Sequence, residues 1–369
     1  MMRPRLFKLP KNIEELARWY MRYISPVSLV LGFLVDYLIL LRRVDLWTTN
    51  LILFTYLVLA ALCILLVSLI QTGRLRQAWL VAATPLLPVV AQFAFGGLFN
   101  GFLSLYSRSA AVAASWIFVI LLAALLLANE RFVRFYMRFA FQVGIFFTTL
   151  FSFLIFFLPV VFHRIGPYMF FASGVASVAL ITFFLYVFSK IVPEVVFRDR
   201  TTIARTIAII FVTFNILYFT GAIPPLPLAL KEAGVYHAVT RTGDEYRLLY
   251  EPLRWYEAYL RYNTTFHRAP GEPTYVYTAI FAPSGLSTTI FHEWQYYDEG
   301  SSAWVTDETI PFFIVGGRDG GYRGYSVKTR PNPGTWRVNA ITEFGQLIGR
   351  VSFKIVEVET PVPVQSVTH

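Results

Sequence analysis

The last long apolar run of the chain, Ile203–Ile223, is followed at once by Pro224-Pro225-Leu226-Pro227, and it divides the sequence into two unlike parts. Before it, apolar runs recur with short basic connections. After it, no run reaches the length that a hydrocarbon core demands, about 20 apolar residues for a helix. This predicts a multi-pass α-helical membrane region over residues 24–223. A stiff neck and membrane-proximal stretch, 224–272, leads to a β domain over 273–359 and a flexible tail, 360–369.

The net charge of +10 invites a nucleic-acid reading, and its distribution argues against one. Residues 1–223 hold 19 Lys/Arg against 7 Asp/Glu, while 224–369 hold 13 against 15. The excess lies beside the apolar runs, where an inside bias places it. Cys63 is the only cysteine, so no intramolecular disulfide forms; an extracytoplasmic domain does not require one. Residues 1–23 carry six Lys/Arg and no apolar core, so they read as a basic cytoplasmic tail or interfacial helix rather than a signal peptide.

Seven spans are expected: Ile24–Leu41, Asn50–Ile70, Ala78–Phe95, Ala110–Ala128, Ala140–Phe162, Tyr168–Phe188 and Ile203–Ile223. Pro85 and Pro88 predict a kink in the third, Gly96-Gly97 its end, and Leu98–Tyr106 a surface-lying or re-entrant piece. The turn His163-Arg164-Ile165-Gly166-Pro167 makes the fifth and sixth spans antiparallel neighbours. Connections on the side of the N-terminus carry 15 Arg/Lys and the opposite ones only 4. This puts the N-terminus in the cytoplasm and the β domain outside. With a re-entrant third region the count becomes six, and the β domain is cytoplasmic.

Asp36 is the one acidic residue well inside an apolar run. It reads either as a proton or cation relay or as an ion pair with Arg43, two helical turns on. Gln92, Gln142 and Asn215 are candidate interhelical contacts, too scattered to define a transport path.

Beyond the neck, Leu228–Val235 reads as a turn of surface helix and Trp255–Tyr262 as an aromatic helix or collar near headgroups. Arg241–Asp244 reads as a turn before a strand at Tyr246–Tyr250. From Thr274 the pattern is β: Tyr275–Phe281, Thr288–Tyr297, Trp304–Ile310, Phe312–Val315, Gly324–Lys328, Thr335–Thr342 and Leu347–Glu359, separated by Gly/Pro turns. Such a series predicts an immunoglobulin-like antiparallel sandwich without the Cys–Trp–Cys pattern of antibody domains. Trp294, Trp336, Val338 and Phe353 are its expected core.

The blocks Phe291–Asp298 and Phe312–Val356 resemble the bacterial family called domain of unknown function 2914. The resemblance rests on His292 and Trp294, Gly316-Gly317, Ser326 and Lys328, Gly334/Trp336/Val338, and Leu347/Gly349/Phe353, with Ile355 where the family shows valine. It covers about a quarter of the chain. It implies a β domain behind membrane segments in a bacterial envelope; together with the basic-residue count this predicts the inner (plasma) membrane with the domain periplasmic. It implies no reaction.

No catalytic constellation is visible. His292-Glu293 lacks the second histidine of H-E-x-x-H, position 296 being Tyr296. Ser326 has no base near it in sequence, and Gly316–Gly321 lacks the order and the β-α-β context of a dinucleotide fingerprint. That turn is an ordinary glycine hairpin or, with Arg318, Arg323 and Lys328, an anion site. No metal and no cofactor is called for. The partners expected are membrane lipids and an envelope glycan, an anionic headgroup or a protein. The leading reading is a non-enzymatic membrane protein with an extracytoplasmic binding, scaffolding or sensing domain. The alternatives are a transporter or channel with an accessory domain, and an envelope enzyme acting on lipid or glycan.

Overall fold

The computed structural model describes residues 45–107, 120–127, 138–223, 225, 227–243, 245–253, 255 and 262–369. The first expected span and Asp36 lie outside these residues, as does most of the Trp255–Tyr262 stretch. The chain forms two compact units. One holds described residues within 45–105, 120–158 and 169–217; the other holds 106–107, 159–168 and 218–369.

The helical unit contains five helices long and apolar enough to cross a membrane among the described residues. Helix α1 is Trp47–Gln71. A short α2, Ala78–Ala82, passes through a 3-10 turn at Thr84–Leu86 into α3, Leu87–Ser107. Then come α4, Phe139–Phe162, α5, Pro167–Ile191, and α6, Pro193–Phe219. Residues 120–127, within the fourth expected span, are helical, with Leu122 and Leu126 buried.

Two sequence expectations are corrected here. The third apolar region does not end at Gly96-Gly97, and Leu98–Tyr106 is no separate piece. Pro85 breaks the chain into a 3-10 turn, and one helix then runs through both glycines. Gly97 is there because α1 comes close: a Cβ would stand 2.8 Å from the Tyr56 ring. The connection before α6 is also not a loop. Pro193 suits the first position of a helix, Glu194 complements its N-terminal dipole, and only Val192 separates α5 from α6.

Helix α4 is the hub. Its Phe151 ring packs on Phe170 of α5 and on Phe211 and Phe214 of α6, at 5.8, 5.9 and 4.7 Å between centroids. Phe139 meets Phe188 and Ser173 Oγ donates to the Leu154 carbonyl, so α4 and α5 are antiparallel. Gly144 lies against Thr206 and Phe151 against Phe214, so α4 and α6 are parallel. Phe102, near the end of α3, meets Phe156, near the end of α4, at 5.4 Å. The connection between α3 and α4 therefore starts and finishes at opposite ends of the bundle. At one end, Arg74 beyond α1 pairs with Glu194 (2.8 Å) and donates to the Ile191 carbonyl. Two connections expected on the same side of a membrane are thus joined.

Among the described residues the second unit has eleven strands. They are β1 (Ala229–Tyr236), β2 (Ala238–Thr242), β3 (Glu245–Tyr250), β4 (Thr265–Arg268), β5 (Thr274–Phe281), β6 (Ser287–Asp298), β7 (Ala303–Val315), β8 (Tyr322–Lys328), β9 (Gly334–Thr342), β10 (Leu347–Glu357) and β11 (Gln365–Thr368). Three sheets result, ordered β1-β5-β8, β4-β10-β9-β6-β7 and β11-β3-β2. All ladders are antiparallel except β4 with β10, which is parallel.

The β1-β5-β8 sheet is covered on both faces. Leu230, Val235, Val276 and Ile280 face the five-stranded sheet, packing with Ile290, Trp294, Trp336, Val338, Ile348 and Phe353. Tyr236, Tyr277 and Ala279 face the β11-β3-β2 sheet, packing with Val239, Tyr246 and Leu248. Strand β5 is consequently buried at seven of its eight positions, where a half-covered strand would alternate. The architecture is three-layered rather than a two-sheet immunoglobulin-like sandwich. Trp294, Trp336, Val338 and Phe353 do form the core between the first two layers.

Further corrections follow from the third layer. Leu228–Val235 is not a helical turn but most of β1; a bulge between Leu230 and Glu232 scrambles its alternation. Residues expected as a neck supply β1 to β4, so the domain starts near Ala229 rather than at 273. The expected tail contributes β11, which pairs with β3. Trp304–Ile310 and Phe312–Val315 are one strand. Pro311 is tolerated because β7 is an edge, where a missing N–H breaks no ladder.

Within this unit the tight turn after α4 is anchored: Ile165 packs against the Leu228/Leu230/Ile280 cluster. Gly166 takes φ 111° with the Phe344 ring in the space a Cβ would need, so any other residue there would be strained and would have to displace that ring.

Candidate functional site

The intramembrane candidates are dispersed. Gln92 and Gln142 are buried on α3 and α4. The Asn215 amide donates to the Phe211 carbonyl of its own helix, 2.8 Å away. Asn100 and Ser104, also buried, extend Gln92 into a polar stripe at eight- and four-residue spacing along α3. Sequence reading missed these two because it broke the helix at Gly96-Gly97.

The glycine turn before β8 has packing reasons for its composition. A Cβ on Gly316 would collide with the Pro283 carbonyl oxygen, and one on Gly321 would meet the Ile280 backbone at 2.9 Å. Arg318 is exposed in this turn. Arg323 and Lys328 stand on opposite faces of β8, as their odd separation requires. Lys328 lies over the Trp336 ring and pairs with Asp307 and Glu308, so it is not brought to Arg318.

The structure does bring together His292, Trp294 and Ser326, the last 34 residues beyond the histidine. Fully buried between the first two sheets, His292 bonds Thr278 Oγ1 through Nε2 and Ser326 Oγ through Nδ1, both at 2.9 Å. Trp294 Nε1–H donates to the same Ser326 oxygen at 2.9 Å. A continuous chain of donors runs from Trp294 through the Ser326 hydroxyl to His292 Nδ1, leaving Nε2–H to donate to Thr278. Burial lowers the His292 pKa to about 3, so the ring stays neutral. A serine beside a histidine could signal nucleophilic catalysis. Here the tryptophan N–H occupies the serine oxygen and no substrate reaches it, so the arrangement ties three strands together.

A second polar cluster gathers His237, Glu251, His267 and Glu272. His237 Nδ1 lies 2.6 Å from Glu272 and Nε2 3.3 Å from Glu251. Glu251 also accepts from the His267 backbone N–H and meets His267 Nδ1, each at 2.7 Å. Burial acts to lower the His237 pKa, but hydrogen bonds to both carboxylates and their charges outweigh it and raise the pKa above the usual value. For Glu251 burial acts upward and the histidine partners win, lowering it. Each imidazole nitrogen of His237 faces a different carboxylate, so the cluster is an ion-pair chain. Among the described residues no group of His, Cys, Asp or Glu is arranged to hold a metal ion.

Beside this cluster lies a partly enclosed cavity of about 180 Å3, lined by Glu232, Tyr236, Tyr250, Leu253, Tyr262, Asn263 and His369 together with two valines. Strand β1 supplies Glu232 and Tyr236, β3 ends in Tyr250, and β11 brings His369 into place. Asn263 Nδ2 donates to the Glu251 carbonyl, connecting the wall to the ion-pair chain. Glu232 faces His369 Nε2 at 3.2 Å. None of the lining residues was among those read from the sequence as a ligand site. The wall comes from β1, β3 and β11, of which β1 and β11 were read as helix and tail.

No curated protein matches the chain. The solved structure of Pseudomonas fluorescens alkylpurine DNA glycosylase AlkC bound to DNA containing an abasic site analog aligns with 10% identity and a TM-score of 0.19, over 94% of this chain and 99% of that one. That score is too low to indicate a common fold. Residues 287–355, from the start of β6 into β10, match the family described as protein of unknown function (DUF2914), and this stretch contains His292, Trp294, Ser326 and Trp336.

Proposed function

We propose that this protein is a multi-pass inner-membrane protein, N-terminus cytoplasmic, whose extracytoplasmic β domain binds a small ligand and has a sensing or scaffolding rather than a catalytic role. The observation that carries this reading is the tyrosine-walled cavity between β1, β3 and β11. It is concave and mixes apolar walls with a few convergent polar groups, the usual make-up of a ligand site, and five of its nine lining residues stand on strands. Seven spans agree with the basic-residue count and with the α3–α4 connection joining opposite ends of the bundle.

The test is a thermal-shift screen of the full chain in detergent against sugars, amines and amino acids, run in parallel on Leu253→Trp, which fills the cavity. At least one compound should raise the Tm of the wild type and not of the variant. Equal shifts in both proteins, or none in either, would count against the reading.

A further inference from the structure

We infer that the cavity receives a primary ammonium group, an inference that rests on the binding role just proposed. Three observations converge on it. The first is charge. Among the described lining residues Glu232 is the one acidic side chain, and no lysine or arginine stands with it. On the described wall His369 Nε2 stands 3.2 Å from it, and Tyr236 feels its charge.

The second is the aromatic wall. Tyr236, Tyr250 and Tyr262 surround the carboxylate, and tyrosine rings attract cations through their negative faces. The third separates a primary from a quaternary ammonium. The described wall carries acceptors at Glu232, Asn263 and the tyrosine hydroxyls. Asn263 gives its amide N–H to the Glu251 carbonyl, while its Oδ1 is buried and has no hydrogen-bond partner among the described residues. The Tyr250 hydroxyl donates to Gln365 at 3.2 Å, and the Tyr262 oxygen faces the Ser352 N–H at 3.5 Å. Leaving a buried acceptor unmet is unfavourable. A group with three N–H donors and a positive charge meets Glu232 and the spare acceptors together; a tetraalkyl cation supplies charge without donors, and a sugar hydroxyl supplies donors without charge.

A volume of about 180 Å3 admits the amine and a short carbon stem, not a whole lipid. The amine's source is either a free small molecule or the headgroup of an aminophospholipid. Both present the same ammonium, and the experiment separates them.

Full-length protein in phosphatidylglycerol nanodiscs is titrated calorimetrically with ethanolamine, tetramethylammonium and ethylene glycol. Ethanolamine should bind, and the other two should bind at least about tenfold more weakly, since each lacks either the donors or the charge. Glu232→Gln and Asn263→Leu should each weaken ethanolamine by about tenfold, and the second keeps the test valid should the first disturb the fold. Repeating the titration with phosphatidylethanolamine in the disc assigns the source: competition with free ethanolamine supports a headgroup, and unchanged binding supports a free amine. Ethylene glycol binding as well as ethanolamine, or both variants binding like the wild type, would overturn the ammonium assignment. If ethanolamine fails while another compound still shifts the wild type and not Leu253→Trp, the assignment falls and the binding role stands. If no compound does so, both fall.

Discussion

The helical region and the β region satisfy their polar groups in opposite ways. In the helices, hydroxyls turn back on their own backbone. Thr55, Thr148, Thr182 and Thr213 each donate to the carbonyl four residues earlier. A hydroxyl in lipid has no water to turn to, and the nearest acceptor lies one turn behind it. In the β region the bonds are long-range. Asn339 reaches Glu293 across 46 positions, and His292 holds residues from β5 and β8. The helices are therefore specified largely by local sequence and by Phe and Gly packing. The β domain is specified by a network whose members are far apart in the chain.

The largest expected effect follows from that network. Trp294→Ala removes a fully buried ring and leaves Ser326 without its donor, so the β domain should lose about 3–5 kcal/mol. Denaturant unfolding followed by tryptophan fluorescence should show this, while helical circular dichroism persists. Equal loss of both signals would mean that the two regions do not differ in this way.

Glycine substitutions give the next effect. Gly316→Ala pushes a Cβ into Pro283 and should cost about 1–3 kcal/mol or more. Gly320→Ala meets nothing within 4 Å and should stay within about 0.5 kcal/mol. Thermal unfolding of the two variants compares packing with mere turn flexibility; equal losses would contradict the packing reason given for Gly316.

Protonation sharpens the contrast, since these titrating clusters lie in the β region. The raised pKa of His237 gives stability that is complete below the unfolded value of 6.5 and is lost as pH rises through the folded value. The lowered pKa of His292 acts oppositely: its contribution is lost as pH falls from 6.5 toward about 3. Glu251, lowered, adds a further loss at acid pH. Stability of the β domain should peak near pH 6.5. In His237→Gln the alkaline decline should flatten, at a cost on the order of 1–3 kcal/mol below pH 6.5. A curve still rising through pH 8 in the wild type would contradict the role given to His237.

The smallest effect belongs to the helices. Arg74→Ala breaks an exposed pair with Glu194, worth less than about 1 kcal/mol by thermal unfolding. A larger loss would show that the bundle depends on that ion pair more than its exposure allows.

This contrast also explains what the sequence could show. Apolar length marked α1, α4 and α5 to within three residues at each end, because the bilayer imposes both length and composition. It misplaced α3, since Gly96-Gly97 reads as a stop unless the nearby Tyr56 is known. Strands β5, β6 and β9 and their core tryptophans followed from alternation and Gly/Pro turns. Strands β1 and β11 did not: a bulge hides one, and the other is four residues long and forms by pairing with β3. The pairing of His292 with Ser326 and the tyrosine wall depend on that tertiary placement, so residue spacing carried no trace of them.

The central proposal is that the β domain lies outside the cytoplasm. The most direct test places single cysteines in a Cys63→Ala background at Glu299, in the β6–β7 turn, and at Arg76, beyond α1. Spheroplasts are treated with a membrane-impermeant maleimide before and after permeabilisation. The account predicts that Glu299→Cys labels at once and that Arg76→Cys labels only after permeabilisation. The reverse pattern would place the β domain in the cytoplasm and contradict it.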